Sequence, residues 1–479
     1  MSRLRAQRGR VGPIAQTDTP TGGATRLAQE DPFSRVLSRL RERRDSAPVT
    51  SSREISREIV RLGVPALGAL AADPVVSLVD TAFVGRLGAT NLGGLGVATS
   101  IFTLMFVTFN FLAYGTTSLV AQRIGAGRRP EAARIVGQGI VLALIIGAII
   151  LGIVEAATDG LLGLMQAGDE VVATATPYLR IRALAMPAVL VIMVGHGAFR
   201  GFQDTVTPLV VTLGLNFVNL VLDPILIFGL DWGIRGAAIA TVIAQWVGAL
   251  WFLVVISRAK WGAVWHRPSW RELRPFLNVG GTLSIRTLSL VAVLTFATAT
   301  AARVGTEEVA AHQVVSQWML FLALVVDALA IAAQAMIGRF VGAGDEAAVR
   351  MTARRLLIWG WWIGLVLGLM ILFGRGTIAG WFTDDDQVRS LVEAALVILA
   401  IIQPVGALVF VGDGLYLGAG AFRFLAAATL SASLVTAVLL ALVPVNGWGL
   451  PGVWWAIAVL IGLRGLAFVA RYGSRSAIG

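Results

Sequence analysis

From Ile59 onward the chain is a succession of apolar runs. Each is about as long as a helix must be to cross hydrocarbon, roughly 20 residues. They cover 59–84, 92–119, 134–157, 176–199, 206–229, 235–256, 276–302, 309–337, 351–374, 388–416, 422–444 and 449–470. The rest of the composition agrees. Hydrophobic residues make up 56% of the chain and charged ones 14%, against about 25% charged in an ordinary soluble domain. That leaves too little polar surface to face water all round. The expected fold is all-α and embedded in a bilayer, with twelve transmembrane helices.

Charge then orders the loops. A net charge of +11 would fit nucleic-acid binding if the basic residues formed one patch. Here they lie between the apolar runs. One alternate set of loops carries Arg123, Arg128, Arg129 and Arg134; Arg200; Arg258, Lys260, Arg267, Arg271 and Arg274; Arg339, Arg350, Arg354 and Arg355; and Arg423. The other set carries Asp159, Asp169 and Glu170; Asp231; Glu307 and Glu308; and Asp384, Asp385 and Asp386. Arg86, Arg235, Arg303 and Arg375 break the pattern. The bias still places both termini in the cytoplasm, and an even number of spans requires them on one side. Residues 1–52 are rich in Arg, Ser, Thr, Gly and Pro and read as a basic tail without a core of its own. No short apolar core follows Met1, so the tail does not read as a signal peptide. The absence of cysteine and the scatter of His196, His266 and His312 leave no disulfide framework and no zinc motif.

The second half of the chain repeats the first. Arg86-Leu87-Gly88 matches Arg303-Val304-Gly305. Ile124-Gly125-Ala126-Gly127 matches Val341-Gly342-Ala343-Gly344, and Gly195, Gly197 and Gly201 match Gly412, Gly414 and Gly418. All these pairs are 217 residues apart, and Trp232-Gly233 matches Trp448-Gly449 at 216. Six spans per repeat give both halves the same topology, related by an axis along the membrane normal. The expected units are an N-terminal six-helix repeat over 53–257, a cytoplasmic linker over 258–275 and a C-terminal six-helix repeat over 276–472. Two such bundles leave a cleft between them, and rocking them gives alternating access.

Three stretches carry a family resemblance. The first span runs from Pro65 through Asp73-Pro74 to Val79-Asp80-Thr81 and Gly85-Arg86-Leu87-Gly88. The fourth span ends on Gly201-Phe202-Gln203-Asp204-Thr205 with Pro208 beyond. The eighth opens on Ala310-Ala311-His312-Gln313-Val314. Over about 55–470 the chain resembles the multidrug and toxic compound extrusion (MATE) family, in particular its DinF-like branch. The resemblance implies a twelve-helix antiporter of the wider multidrug, oligosaccharidyl-lipid and polysaccharide exporter group. Such an antiporter exports organic, often cationic or amphipathic compounds against an inward flow of H⁺ or Na⁺.

Ionisable groups inside apolar spans are costly, so each one needs a reason. Asp80 lies deep in the first span, and Asp73 is seven residues earlier, nearly two turns, so both share a face. Asp73 precedes Pro74 and has a structural reading too, as a partner for backbone groups freed at a kink. In the fifth span Asn219 and Asp223 are four apart on one face, with Asn216 one turn before them. The resemblance implies a cation site built from Asp80, Asn219, Asp223 and Thr241 of the sixth span. The structural alternative is a hydrogen-bonded packing cluster beside Pro224. The family's fourth-span Asn has no match here. Met193 stands near its place, and His196 is the nearest polar side chain.

In the eighth span Asp327, the repeat partner of Asn110, either faces a substrate cavity with Gln317 and Gln313 or is neutralised by Arg286 of the seventh. Asp413 sits at the repeat position of His196, both between glycines, where close helix packing is the expected role. Most tryptophans, including Trp361, Trp362, Trp381, Trp454 and Trp455, read as interface belts.

The expected activity is therefore a cation-coupled efflux antiporter with H⁺ or Na⁺ as coupling ion, no cofactor and no resident metal. Its partners are a small organic substrate and the bilayer, not nucleic acid. It works as a monomer in the plasma (bacterial inner) membrane. A flippase or exporter of lipid-linked or anionic metabolites is the alternative. It is disfavoured because only Arg286 lies clearly within a span, where flippases tend to line the cavity with several cations to hold phosphates. No nucleophile–base or metal cluster points to an enzyme, and no filter or charge ring points to a channel.

Overall fold

The computed structural model describes residues 51–165, 168–259, 261–265 and 268–476. The tail expected over 1–52 lies outside them except for its last two positions, as do Lys260, His266 and Arg267 of the linker. Every regular element among the described residues is helical, as a chain in lipid requires, because a helix satisfies its own backbone groups.

In chain order the helices are α1 Ser52–Gly85, α2 Ala89–Phe109, α3 Phe111–Gly125, α4 Arg129–Gly163, α5 Asp169–Ala183, α6 Met186–Gly201 and α7 Val206–Pro224, which continues as a π-turn over Ile225–Gly229. α8 Gly233–Arg258, α9 Trp270–Val304, α10 Thr306–Ala343, α11 Glu346–Phe382, α12 Asp386–Gly418, α13 Phe422–Val445 and α14 Gly449–Ser476 follow. Eleven apolar spans among the described residues are long enough to cross a membrane, α2 and α3 forming one of them, and α5 with α6, bent by 51°, makes a twelfth.

The spans outrun the apolar runs that announce them. α1 starts at Ser52, where Ser51 and Glu54 form a reciprocal capping box that ties down two of the helix's free N–H groups. The second span is interrupted at Asn110 and the fourth at Leu184–Ala185, just before Pro187. Many Leu, Val, Ile, Phe, Met and Trp side chains on these helices are 38–82% exposed, the inverse of a soluble surface. Trp361, Trp362, Trp381 and Trp455 lie on it, as a belt requires. Trp454 does not: it is fully buried and packs on His312.

The two repeats pack alike. α1 meets α7 as α9 meets α13. α3 meets α6 as α10 meets α12. α4 meets α6 as α11 meets α12. α6 meets α8 as α12 meets α14. Several glycines repeated within the helices make this possible, because they take a neighbour's main chain or ring where a Cβ would collide. Gly197 rests on Ala113 and Gly414 on Ala330; Gly195 faces Phe252 and Gly412 faces Phe468; Gly147 meets Pro187 and Gly364 meets Pro404.

Between the halves, α3 packs on α10, with α1 crossing to α10 and α9 crossing to α3. The Gly-Ala-Gly motif marks that contact: Gly125 abuts Arg339 and Ala343 of the other half, and Gly342 abuts Gln122. Gly127 and Gly344, at φ 72° and 76°, end their helices in the left-handed region, where glycine carries no steric penalty. The same end is sewn together by side chains. Ser118 and Gln122 donate to the carbonyls of Leu417 and Gly418 at 2.7 and 2.9 Å, and Gln334 and Gln203 donate to those of Tyr114 and Ala335 at 2.7 and 2.9 Å. The halves are thus closed at the end that carries the arginine-rich loops.

Candidate functional site: an acidic cluster in the first half and a basic one in the second

α1 and α7 pack along their length, and their polar residues meet. Asn216 donates to Asp73 at 3.0 Å. Asn219 donates to Asp80 at 2.9 Å and to Asp223 at 2.7 Å. The Asp80 and Asp223 carboxyls are also within hydrogen-bonding reach of each other. The spacing explains the geometry: 73 and 80 are nearly two turns apart on α1, and 216, 219 and 223 repeat at three and four on α7. Asn216, Asn219 and Asp223 are buried, whereas Asp73 is exposed. Pro224 follows at once. It has no N–H to continue the ladder, and the turn after it widens so that Leu230 N–H reaches the Ile225 carbonyl at 2.8 Å. Such π-turns concentrate at functional sites.

Two carboxyls in contact inside a low-dielectric span cannot both remain bare anions. A proton shared between them, or a cation accepting their oxygens, resolves the conflict. The buried Oδ1 atoms of Asn219 and Asp223 have no hydrogen-bond partner. Two acceptor oxygens are therefore free beside the carboxyl pair, a hard-oxygen set that suits H⁺ or a small monovalent cation. Among the described residues no group of three or more His, Cys, Asp or Glu is arranged to hold a metal ion.

Thr241 stands apart from this hydrogen-bonded group. Its hydroxyl is spent on the Ala237 carbonyl of its own helix at 2.9 Å, a local bond that serine and threonine readily make in helices. The fourth span supplies something the sequence reading passed over. Arg182 of α5 acts electrostatically on Asp80 and lies 5.2 Å from the Phe102 ring centroid. Its position inside the 176–199 run was the available signal. Met193 is simply buried, and His196 bonds Thr212 and Arg200 at 3.2 and 3.3 Å.

The second half lacks the acidic cluster. At the repeat positions of Asp73, Asp80, Asn216, Asn219 and Asp223 stand Leu290, Ala297, Ser433, Thr436 and Leu440. Its charges lie elsewhere. Asp413 Oδ2 receives Arg286 of α9 at 2.5 Å and Arg464 of α14 at 2.6 Å. Arg286 therefore pairs with Asp413, and no direct pair joins it to Asp327. Arg200 and Arg286 act on Asp327 only through space. Close packing around Gly412 and Gly414 accompanies a charge triad at Asp413.

The count of cations inside the spans also changes: Arg182, Arg200 and Arg464 join Arg286. Three of these, Arg200, Arg286 and Arg464, face two carboxylates, Asp327 and Asp413, an excess of one positive charge. Asp327 is half-buried, Asn110 forms the break between α2 and α3, and Gln317 and Gln313 are exposed on α10. Arg286 is thus drawn into the triad, and no bond ties Asp327, Gln317 and Asn110 into one group. A groove of about 870 Å³ lies away from both clusters on the outer face of α11, lined by Arg350, Met351, Arg354, Trp361 and Trp362.

Comparison with known proteins places this architecture. The MatE family model matches residues 65–225 and again 283–443, the two repeats. "Protein DETOXIFICATION 44, chloroplastic" of Arabidopsis thaliana is 35% identical over 446 residues, covering 90% of this chain and 85% of that one. "DNA damage-inducible protein F" of Escherichia coli is 29% identical over 416 residues, covering 85% and 90%. Among solved structures, the MATE transporter VcmN of Vibrio cholerae in the bent form superimposes with a TM-score of 0.81 at 24% identity, covering 88% of this chain and 97% of that one. A structure described as MATE in the bent conformation gives 0.83 at 23%, covering 90% and 98%. The chain belongs to the MATE family of multi-pass membrane transporters.

Proposed function

We propose that the protein is an antiporter that exports organic compounds, cationic or amphipathic in character, in exchange for H⁺ or Na⁺ entering the cell. One observation carries this reading: half-buried Asp80 and buried Asn219 and Asp223 form a hydrogen-bonded group with two unpartnered acceptor oxygens in an otherwise apolar bundle. A packing cluster does not need two carboxyls, and their desolvation would be a standing cost. A reversible proton or cation explains them. Asp73 and Asn216 extend the group along α1 and α7. Thr241 completes it only if its hydroxyl turns from Ala237. Relatives named "Probable multidrug resistance protein NorM", 27% identical in Thermotoga maritima, support efflux as the activity. The arginine-rich loops support cytoplasmic termini, which makes the closed end the cytoplasmic one in this reading, with the plasma membrane as the proposed location. Each chain carries both halves of the cleft and acts as a monomer.

Flux from proteoliposomes loaded with a fluorescent organic cation tests this. A pH gradient and a Na⁺ gradient are imposed separately, on wild type and on Asp80→Asn and Asp223→Asn. One gradient should drive wild-type efflux, and both variants should lose it. Efflux indifferent to either gradient, or intact in both variants, removes the ion site.

A second reading has its own observation. Arg200 of the first half and Arg286 and Arg464 of the second together outnumber Asp327 and Asp413, the carboxylates they act on, which suits a substrate with an anionic or phosphate group. Competition separates the two: an organic anion, and not the cation, should then inhibit transport, and Arg286→Gln should weaken that inhibition.

A further inference from the structure

α1 belongs to the first repeat by sequence, but its two ends are held by different halves. Over its first turns, Ile55, Ile59 and Leu62 are at most 1% exposed, and their core neighbours, among them Val326, Met336, Phe340 and Leu356, all belong to the second half. Glu58 receives both guanidinium nitrogens of Arg339 of α10 at 2.8 and 2.7 Å, and Ser56 accepts from Arg355 of α11 at 2.9 Å. Beyond Pro65 the helix also binds the first half, through Gly68 against Leu209 and through the bonds of Asp73 and Asp80 to α7, while Ala66, Leu67 and Leu70 still pack on Ala328 and Ile331 of α10. Pro65 lies just before the overlap. Lacking an N–H, it leaves the Arg61 carbonyl without its helical donor, and the Thr205 hydroxyl approaches that carbonyl at 3.4 Å.

We infer that residues 52–62 are a latch. Docked in the second half, they hold the arginine-rich end closed. Glu58 and Arg339 are the positioning residues that seat the latch, and α1 carries the state of the acidic cluster to it as one rod. A bidentate guanidinium–carboxylate pair fixes orientation as well as distance. This one is mostly shielded, with Glu58 14% and Arg339 27% exposed, so it is worth more than a surface pair. From Glu58 to Asp73 is fifteen residues, a rise of about 22 Å. A change in how α7 holds Asp73 or Asp80 therefore tilts the helix and acts on the latch at its far end. The repeat supports the design. α9, the counterpart of α1, buries Phe276, Val279 and Leu283 in the core of the first half, and its Glu272 approaches Arg134 at 3.9 Å. That contact is looser, and α9 carries no carboxylate at the positions of Asp73 and Asp80, so α1 is the latch that the ion site works. The link to the ion site rests on the antiporter reading; the latch itself does not.

The chain has no cysteine, which makes spin labelling direct. Labels are placed at Arg129→Cys and Ala347→Cys, exposed on the two halves at the closed end, and their separation is measured by double electron–electron resonance in lipid nanodiscs. Wild type should show a dominant short distance. Glu58→Gln and Arg339→Gln should each raise the population of the longer distance about fivefold or more, the factor expected for losing one such pair. The exchanged pair, Glu58→Arg with Arg339→Glu, should restore the short distance. If both single variants fold and keep the wild-type distribution, or if the exchange adds the two defects, the latch is wrong. Asp80→Asn separates the two ideas. Shifted latch variants beside an Asp80→Asn protein that still couples flux to an ion would leave the latch and remove the ion reading. The reverse pattern would remove the latch alone.

Discussion

At the scale of single residues, the two clusters pose opposite electrostatic problems. In the first half, carboxyls crowd one another and invite a proton or cation. In the second, Asp413 holds two guanidinium groups on one oxygen. Removing that carboxylate strands both cations in a low-dielectric core, which typically costs about 3–5 kcal/mol. Asp413→Asn should therefore lower the thermal midpoint of the detergent-solubilised protein markedly, followed by the intrinsic fluorescence of its tryptophans. Asp223→Asn should leave the midpoint unchanged or raise it, because it relieves a like-charge contact. A stable Asp413→Asn protein would show that the triad is not structural. The sequence announced the acidic residues clearly, since carboxylates in apolar runs have no cheap explanation. It announced the basic ones poorly. Arg464 and Arg182 lie nearer the ends of their runs than Arg286 does, and long cationic side chains near a run's end also reach water by snorkelling, so position alone does not mark them as lying within the bundle.

At the scale of elements, the breaks matter more than the helices. The existence and order of the spans were legible because bilayer thickness fixes their length. The interruptions at Asn110 and Leu184–Ala185 and the crossing of α1 and α9 between the halves were not. They depend on which helix packs where, and periodicity within one helix does not carry that information. The π-turn after Asp223 is a local exception, because Pro224 announces it. Pro224→Ala would restore the missing N–H and let the α-helical ladder run on, turning Asp223 relative to Asn219. The variant should fold, and the ion concentration giving half-maximal transport should rise severalfold with little change in substrate affinity. Unchanged ion dependence would mean that the turn does not place the carboxyl. Gly342→Val tests the contact between halves. Its side chain would collide with the Gln122 main chain, so the closed end should separate, with labels at 129 and 347 moving apart. A wild-type distance would mean that the helices yield there at little cost.

At the scale of the whole molecule, two similar bundles are held together at one end. The constant offset of 217 residues reveals the bundles, and Gly125, Gly195, Gly197, Gly342, Gly412 and Gly414 among its carriers are residues on which helices within and between the bundles touch. Similar packing with dissimilar charge makes the halves unequal: one houses the carboxyl cluster, the other an ion triad. The account requires that one cluster ties substrate movement to ion movement in the opposite direction. The most direct measurement reverses the usual experiment. A substrate gradient alone is imposed on sealed proteoliposomes, with no ion gradient, and internal pH and internal Na⁺ are recorded. Substrate moving one way should drive one of the two ions the other way in wild type, and that ion flow should vanish in Asp80→Asn and Asp223→Asn. Substrate movement in wild type with neither ion displaced would contradict the account.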